Sequence, residues 1–194
     1  MEVPTLSGRW VSLEPLNEAH RMALRQAADD ERIWRATAMR AIGDGFDAWF
    51  ETALAERDAG RWLPFAVRRL ADMTYVGSTS YLDIMLRHRR LEIGATWYHP
   101  ESWGTNVNPE SKLLLLQHAF DVLGVRRVGF VTDILNRHSQ AAIAKLGAAR
   151  EGILRCHMIA QGGRARDSVV FSIVAEEWPR VRDGLIARVT RTTH

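Results

Sequence analysis

The chain has 194 residues, 46% of them hydrophobic and 25% charged, which is typical of a soluble globular protein with one sizeable core. Its formal net charge of +3 allows attraction to an anionic ligand, but no Lys/Arg run reaches the density expected of a DNA-binding patch. No apolar run approaches the ~20 residues of a membrane span, the N-terminus does not resemble a secretory signal, and the single cysteine, Cys156, excludes an intrachain disulfide.

These features predict one domain, residues 1–194, in the reducing cytoplasm. Period-two alternation predicts strands, helical spacing predicts helices, and glycines at 60, 124 and 147 end three of the helices. In chain order the predicted elements are a strand at 9–14, helices at 17–28 and 46–59, strands at 63–69, 74–82 and 91–99, a helix at 109–123, a strand at 126–133, a helix at 136–146, strands at 150–160 and 165–175, and a helix at 176–188. This order predicts an α/β or α+β sheet domain of mixed strand direction.

The segment ESWGTNVN, 101–108, lies between a strand and a leucine-rich helix. We expect Pro109 at the first helical position and Asn108 as the N-cap. A helix start presents unpaired N–H groups, and Gly104, Asn106 and Asn108 tolerate positive φ, so a phosphate could approach the main chain here. The spacing alone fits either a phosphate site or an ordinary capped helix. It is neither a P-loop nor a dinucleotide-binding motif.

Three segments in chain order carry the motifs of one known family. LSGRWVSLEPLNEAH resembles its L-x-G-x-x-V-x-L-x-P-L start, LEIGATWYHPESWG resembles its E-I-G-x-W-x-x-P-x-x-x-G segment, and TDILNRHSQAAIAKLGAAREGILR resembles its T-D-x-x-N-x-x-S-x-x-x-x-x-K-L-G-F-x-x-E-G-x-L-R segment. The chain thus resembles the GNAT superfamily of N-acetyltransferases, in the RimJ/RimL-like branch of ribosomal-protein N-terminal acetyltransferases, over nearly its whole length.

The resemblance implies a mixed, mostly antiparallel central sheet flanked by helices, with a splayed strand pair forming a CoA cleft. It implies direct transfer of an acetyl group from acetyl-CoA to a primary amine, a protein N-terminus or a small amine, in a ternary complex without a metal. A ribosomal protein is one possible acceptor. Family habit, together with tryptophans expected to be exposed, implies a homodimer.

The resemblance also implies the cofactor site. The family loop Q/R-x-x-G-x-G/A binds the pyrophosphate through main-chain N–H groups, and here Trp103, Asn106 and Asn108 depart from that pattern. The end of the preceding strand would border the cofactor, mainly by its main chain. The residues implied to bind the cofactor are Tyr98, His99, Trp103, Gly104, Thr105, Asn106, Val107, Asn108, Asn136 and Ser139.

Two residues are catalytic candidates. Glu92 is either the base that takes a proton from the amine or an ion-paired carboxylate at a strand end. Ser139 is the candidate donor to the leaving thiolate, because the segment after Asn136 lacks the tyrosine that many members use. Asn136 itself either contacts the pantetheine or caps a helix. Cys156 and His157, as strand neighbours, should face opposite ways and form no dyad, although His157 is a candidate for the acceptor pocket.

Three alternatives stay open at this stage. The chain could be a non-catalytic acyl-CoA-binding or regulatory module on the same fold. Its pI near 9.5 also fits an RNA- or ribosome-associated protein, in which RHRR at 87–90 would contact phosphate instead of forming a solvated hairpin. Asp29, Asp30, Glu31 and Asp44 could attract a cationic acceptor or could belong to solvated helix faces.

Overall fold

An eight-stranded sheet forms the centre of the protein, which is described by a computed structural model for residues 4–191. The strands are Leu6–Ser7 (β1), Val11–Pro15 (β2), Leu63–Arg69 (β3), Thr74–Met85 (β4), Arg90–Tyr98 (β5), Arg127–Asp133 (β6), Ala149–Ile159 (β7) and Ala165–Val174 (β8). Their order across the sheet is β1-β2-β3-β4-β5-β6-β8-β7. Neighbouring strands are antiparallel except for the parallel pair β5 and β6, so the predicted mixed, mostly antiparallel sheet is confirmed.

Two hydrophobic clusters hold the helices on the sheet. The helices are Arg21–Ala28 (α1), Glu31–Trp34 (α2), Gly45–Asp58 (α3), Val107–Gln117 (α4), Arg137–Ala144 (α5) and Trp178–Thr190 (α6). One cluster packs α4 and α6 against the strands, and the other packs α1, α2 and α3 around Trp97. The Trp97 ring lies 5.4 Å from both Trp34 and Trp49, between ring centroids. Trp97 therefore anchors the three N-terminal helices to β5.

The start of α4 differs from the prediction. The helix begins at Val107 and not at Pro109, since the N–H of Val107 donates to Thr105 Oγ1 at 3.3 Å and the N–H of Glu110 donates to the Asn106 carbonyl at 3.0 Å. Pro109 still lies in the first turn of the helix. N–H groups at this position have no partner within the helix, so the missing N–H of proline costs no hydrogen bond. Asn108 is inside the helix, so its assignment as the N-cap is wrong.

Glu110 ties the N-terminal segment to α4. Its carboxylate is 4% exposed and accepts the main-chain N–H groups of Arg9, Trp10 and Val11 at 2.9, 2.6 and 2.8 Å. A Cβ at Gly8 would lie 2.4 Å from the Glu110 carboxyl carbon, so only glycine lets the carboxylate come this close. The glycine of the first motif thus has a structural role, because it fixes β1 and β2 against α4.

Candidate functional site

A cleft opens where β5 and β6 separate. The two strands pair only from Arg90–Glu92 to Arg127–Gly129 within residues 4–191, although β5 continues to Tyr98 and β6 to Asp133. Beyond the paired stretch β5 is bonded to β4, and β6 is bonded to β8. Ala95 has φ +45°, and the ladder between β4 and β5 shifts register beside it, which marks a β-bulge. A parallel pair that separates in this way leaves strand edges open to a ligand.

The loop before α4 lies next to this cleft. Gly104 has φ +75°, but Asn106 has φ −74° and ψ −5°, and Asn108 is helical. Of the three residues that tolerate positive φ, only Gly104 adopts it, because the helix starts early enough to draw both asparagines into αR geometry. The side chain of Val107 is buried in the core, so only its main chain can face a ligand.

The end of β5 is tied to the same loop. Trp103 Nε1 donates to the Tyr98 carbonyl at 2.9 Å, and the His99 N–H donates to the Val76 carbonyl at 2.8 Å. The Tyr98 side chain is buried, and burial raises the pKa of its phenol well above the usual range. The main chain of Tyr98 and His99 therefore borders the cleft. The Tyr98 carbonyl and the His99 N–H already form hydrogen bonds within the protein.

The start of α5 lies beside the start of α4. The rings of Trp103 and His138 are 6.3 Å apart between centroids. Asn136 Oδ1 accepts the N–H of Ser139 at 2.9 Å, and Asn136 Nδ2 donates to the Ala36 carbonyl at 2.9 Å. Asn136 therefore caps α5, as one of its two predicted roles required, and its amide also holds the segment after α2. Ser139 is half-buried in the first turn of α5.

Glu92 stands at the point where β5 and β6 part. Burial, and then the charge of Asp83, raises the pKa of the Glu92 carboxyl, while Arg90, His157 and Arg127 act in the opposite direction. Arg90 pairs with Asp83 and Arg127 with Glu151, and Glu92 forms no ion pair within the described part of the chain. The strand-end ion pair considered for Glu92 is therefore not formed. A half-buried, unpaired carboxylate with a raised pKa suits a general base.

An open pocket of about 700 Å³ lies along β7. The strand bulges there, since the four residue steps from Leu154 to Met158 oppose only two steps of β8, and Cys156 has φ +50°. The alternation expected for Cys156 and His157 therefore does not hold. The Cys156 N–H donates to Asp167 Oδ1 at 2.8 Å, and His157 Nδ1 lies 3.1 Å from Ser168 Oγ. The pocket is lined by Ile153, Leu154, Arg155, Cys156, His157 and Asp167.

Gln161, at the turn between β7 and β8, holds the segment 34–39 through its side-chain amide. Its Nε2 donates to the carbonyls of Trp34, Thr37 and Met39 at 3.2, 2.9 and 2.7 Å. Reasoning from the sequence missed this residue, because its only signal was its place beside the two glycines of the turn. Together with Asn136, Gln161 fixes the segment that borders the site.

Lys112 is a second residue that sequence reasoning missed. It lies inside α4 with 6% of its surface exposed, and Nζ donates to Thr79 Oγ1 at 2.9 Å and to Thr96 Oγ1 at 2.7 Å. Burial lowers the pKa of the Lys112 amine to about 7. The available signal was a single lysine directly before four leucines of a buried helix.

The charged stretches singled out in the sequence are largely engaged within the chain. Arg89 donates to the Gly124 carbonyl at 2.9 Å through Nε and at 2.6 Å through an Nη, and Arg90 pairs with Asp83. Near α2, Asp30 pairs with Arg32, and Glu31 pairs with Arg40. Two arginines of RHRR thus shape a turn, and two of the acidic residues are neutralised by neighbours.

Neither a metal cluster nor a membrane helix is found in the described chain. Between residues 4 and 191, no group of three or more His, Cys, Asp or Glu side chains could hold a metal ion. Over the same range, no helix is long and apolar enough to cross a membrane.

Comparison with known proteins gives one family match and one curated relative. Residues 11–149 match the family model of the acetyltransferase (GNAT) domain. The uncharacterized N-acetyltransferase YoaA of Bacillus subtilis (strain 168) is 27% identical over 174 residues, which cover 82% of this chain and 97% of YoaA. The family match spans the cleft, the loop before α4 and both catalytic candidates.

Solved structures show the same fold. A GCN5-related N-acetyltransferase from Brucella melitensis superimposes with a TM-score of 0.88 at 30% identity, covering 96% of this chain and 86% of that one. RimJ of Mycobacterium smegmatis, in complex with CoA-disulfide, superimposes with a TM-score of 0.77 at 23% identity, covering 92% and 88%. The predicted fold class is confirmed by these similarities.

Proposed function

The chain belongs to the GNAT acetyltransferase family of acyltransferases, and we propose that it transfers an acetyl group from acetyl-CoA to a primary amine in a ternary complex. The observation that carries this proposal is the cleft between β5 and β6, which opens beside the starts of α4 and α5 and has Glu92 at its apex. We propose that residues 1–194 act as one domain, since all eight strands of the described range form a single sheet.

Acetyl-CoA would bind with its pyrophosphate at the start of α4 and its pantetheine arm along the open edge of β5. The helix start supplies N–H groups and the positive end of the dipole, and Gly104 leaves the main chain accessible. The complex of the Mycobacterium smegmatis RimJ with CoA-disulfide supports a CoA ligand on this fold. The residues proposed to bind the cofactor are Tyr98, His99, Trp103, Gly104, Thr105, Asn106, Val107, Asn108, Asn136 and Ser139.

Glu92 would act as the general base. It takes a proton from the ammonium of the acceptor, directly or through one water, and the amine nitrogen then bonds to the thioester carbonyl carbon. When the tetrahedral intermediate collapses, the C–S bond breaks and the sulfur receives a proton from Ser139 at the start of α5, whose oxygen is reprotonated by the proton that the amide nitrogen loses. Both residues are half-buried, Glu92 at the apex of the cleft and Ser139 in the first turn of the helix that follows β6, and these positions support this division of roles.

The acceptor would be a protein N-terminus or a small amine. The pocket along β7 supports an acceptor on this side of the sheet, where His157 is held by Ser168. A ribosomal protein stays a prediction, as does the cytoplasm as the compartment.

A homodimer is supported by β7, an edge strand that carries exposed apolar side chains. Ile159 is 70% exposed and Met158 is 46% exposed, and neither lines the pocket proposed for the acceptor. The tryptophans do not supply this surface, although they were expected to be exposed. Among the tryptophans of the described residues, only Trp103 is exposed. Light scattering on the purified chain tests the dimer.

The test of the function is calorimetry with acetyl-CoA, followed by thiol release over a panel of peptides and small amines. We expect binding, and CoA release that depends on the amine. Absence of acetyl-CoA binding would remove the proposal. Binding without any amine-dependent release would instead identify a non-catalytic CoA-binding module.

Glu92→Gln tests the base. Turnover should fall by about 10²- to 10⁴-fold, most strongly below pH ~8 where the acceptor amine is protonated, with CoA affinity unchanged. Glu151→Gln is the matched control, because its carboxylate lies in the same sheet but is bound to Arg127 and Ser172. An unaltered pH–rate profile in Glu92→Gln would remove Glu92 as the base.

A further inference from the structure

Lys112 is a buried ionisable side chain that the proposed reaction does not use. Its amine bonds only to the hydroxyls of Thr79 and Thr96, and it forms no ion pair within residues 4–191. Burying an amine without a carboxylate partner is unfavourable, whereas a methionine of similar length would fill the same space without that penalty. Lys112 is therefore poorly explained by stability, and perturbed ionisable groups of this kind concentrate at functional sites.

The two threonines lie at a distortion of the sheet. The ladder between β4 and β5 loses its register between Ser78 and Ser80, so Thr79 faces both Ala95 and Thr96. Ala95 carries φ +45°, which is a strained geometry for a residue with a side chain. The strain persists only if surrounding contacts hold it, and the amine of Lys112 makes two of those contacts.

The same distortion sets the shape of the cleft. β5 leaves β6 after Glu92, and the bulge follows three residues later at Ala95. A bulge bends its strand and increases its twist, so the angle at Ala95 decides how the rest of β5, residues 96–98, runs along the opening. Through Thr96, Lys112 therefore contacts the part of β5 that borders the cleft.

We propose that Lys112 is a positioning residue that holds the β5 bulge through Thr79 and Thr96 and so aims the main chain of residues 95–98 into the cofactor cleft. The cofactor half of this inference rests on the proposed function, while the bracing of the bulge does not. The hydrogen-bond pattern fits an uncharged amine, whose two N–H groups match two hydroxyl oxygens that are themselves 2.7 Å apart.

Hydrogen exchange of the full chain tests the bracing without any substrate. In Lys112→Met, the amides of residues 93–98 should exchange at least tenfold faster, while those of β7 and β8 stay unchanged. Ile173→Val, a mild core truncation in β8 away from the bulge, is the control and should leave residues 93–98 protected. Equal protection of residues 93–98 in wild type and Lys112→Met would overturn the bracing.

Acetyl-CoA binding and steady-state kinetics test the cofactor half. Lys112→Met should unfold at the same or a higher temperature than wild type, yet lose at least tenfold in kcat/KM for acetyl-CoA and in acetyl-CoA affinity. Thr96→Val should show the same loss, and the double variant should be no worse than either single one, since Lys112 acts through Thr96. A stable Lys112→Met with wild-type kinetics would overturn this half. Wild-type chain that does not bind acetyl-CoA would overturn it together with the proposed function, and the exchange result would still decide the bracing.

Discussion

Glu110 and Lys112 lie two residues apart on α4, and both are buried, but their surroundings differ in kind. Glu110 receives three main-chain N–H groups from the N-terminal segment, which stabilise its charged carboxylate. Lys112 meets two neutral hydroxyls and no counter-charge in the described chain, and its pKa falls to about 7.

The difference separates two uses of a buried ionisable group. The Glu110 contact joins two parts of the core and strengthens the fold, because a carboxylate with donors on every side is well satisfied. The Lys112 contact opposes folding when the amine is charged, and it holds a strained stretch of β5 beside the cleft. One face of α4 thus contributes to stability, and the opposite face contributes to the shape of β5.

The largest effect should come from removing the charge of Glu110. Glu110→Gln keeps the shape but replaces one acceptor oxygen with an NH₂ group that faces main-chain N–H donors. We expect the free energy of unfolding to fall by about 3–4 kcal/mol, as measured by urea denaturation. A loss below about 1 kcal/mol would mean that the three bonds do not hold the N-terminal segment.

The pH dependence of stability tests the other side of the comparison. In the unfolded chain the Lys112 amine keeps its proton to about pH 10.5, whereas in the folded protein it loses that proton near pH 7. Between these values the unfolded state binds more protons, so stability rises with pH.

Relative to Lys112→Met, wild type should therefore gain about 2–3 kcal/mol between pH 7 and pH 9, and the difference should flatten below pH 7. Chemical denaturation of both proteins at matched pH values measures it. A constant difference would show that Lys112 is charged in the folded state.

Gly8→Ala tests the same Glu110 contact by a change in the N-terminal segment instead of in α4. The added Cβ would meet the carboxyl carbon at 2.4 Å, and the three N–H bonds prevent the carboxylate from moving freely. Stability should fall by about 2 kcal/mol. In a Glu110→Ala background the same change should be nearly neutral, and a full loss there would place the clash elsewhere.

Asn106→Gly should give the smallest effect. Asn106 already has helical φ and ψ, so glycine offers no conformation that the loop requires. We expect stability to fall by less than about 1 kcal/mol and CoA affinity to change less than twofold. Clearly tighter binding in calorimetry would mean that the Asn106 side chain obstructs the phosphates.

Much of the fold was predictable from the sequence, and the reasons are local. Alternation and glycines at helix ends placed the twelve longer strands and helices close to their observed ranges, whereas β1 and α2, with two and four residues, are too short for a periodic signal. Asn108 was misplaced because a proline in the first turn is compatible with more than one helix start, and Thr105 decides between them.

The site was less predictable because its contacts cross between distant elements. Glu92 and Asn136 belong to recognisable motifs, but the sequence could not show that Glu92 is unpaired or that the amide of Asn136 reaches Ala36. Lys112 and Gln161 act on partners more than ten residues away in the chain, and neither spacing nor composition carries that information.

Asn136 links two elements beside the cleft, and in the proposed reaction this link would couple the two substrates. Its side chain caps α5 at Ser139 and also holds the carbonyl of Ala36, in the segment that Gln161 fixes from the other side. Under the proposed function, an acceptor that displaced this segment would pull on the same amide that sets the start of α5, beside the proposed cofactor site. By thermodynamic reciprocity, acetyl-CoA must then change the affinity for the acceptor by the same factor as the acceptor changes the affinity for acetyl-CoA.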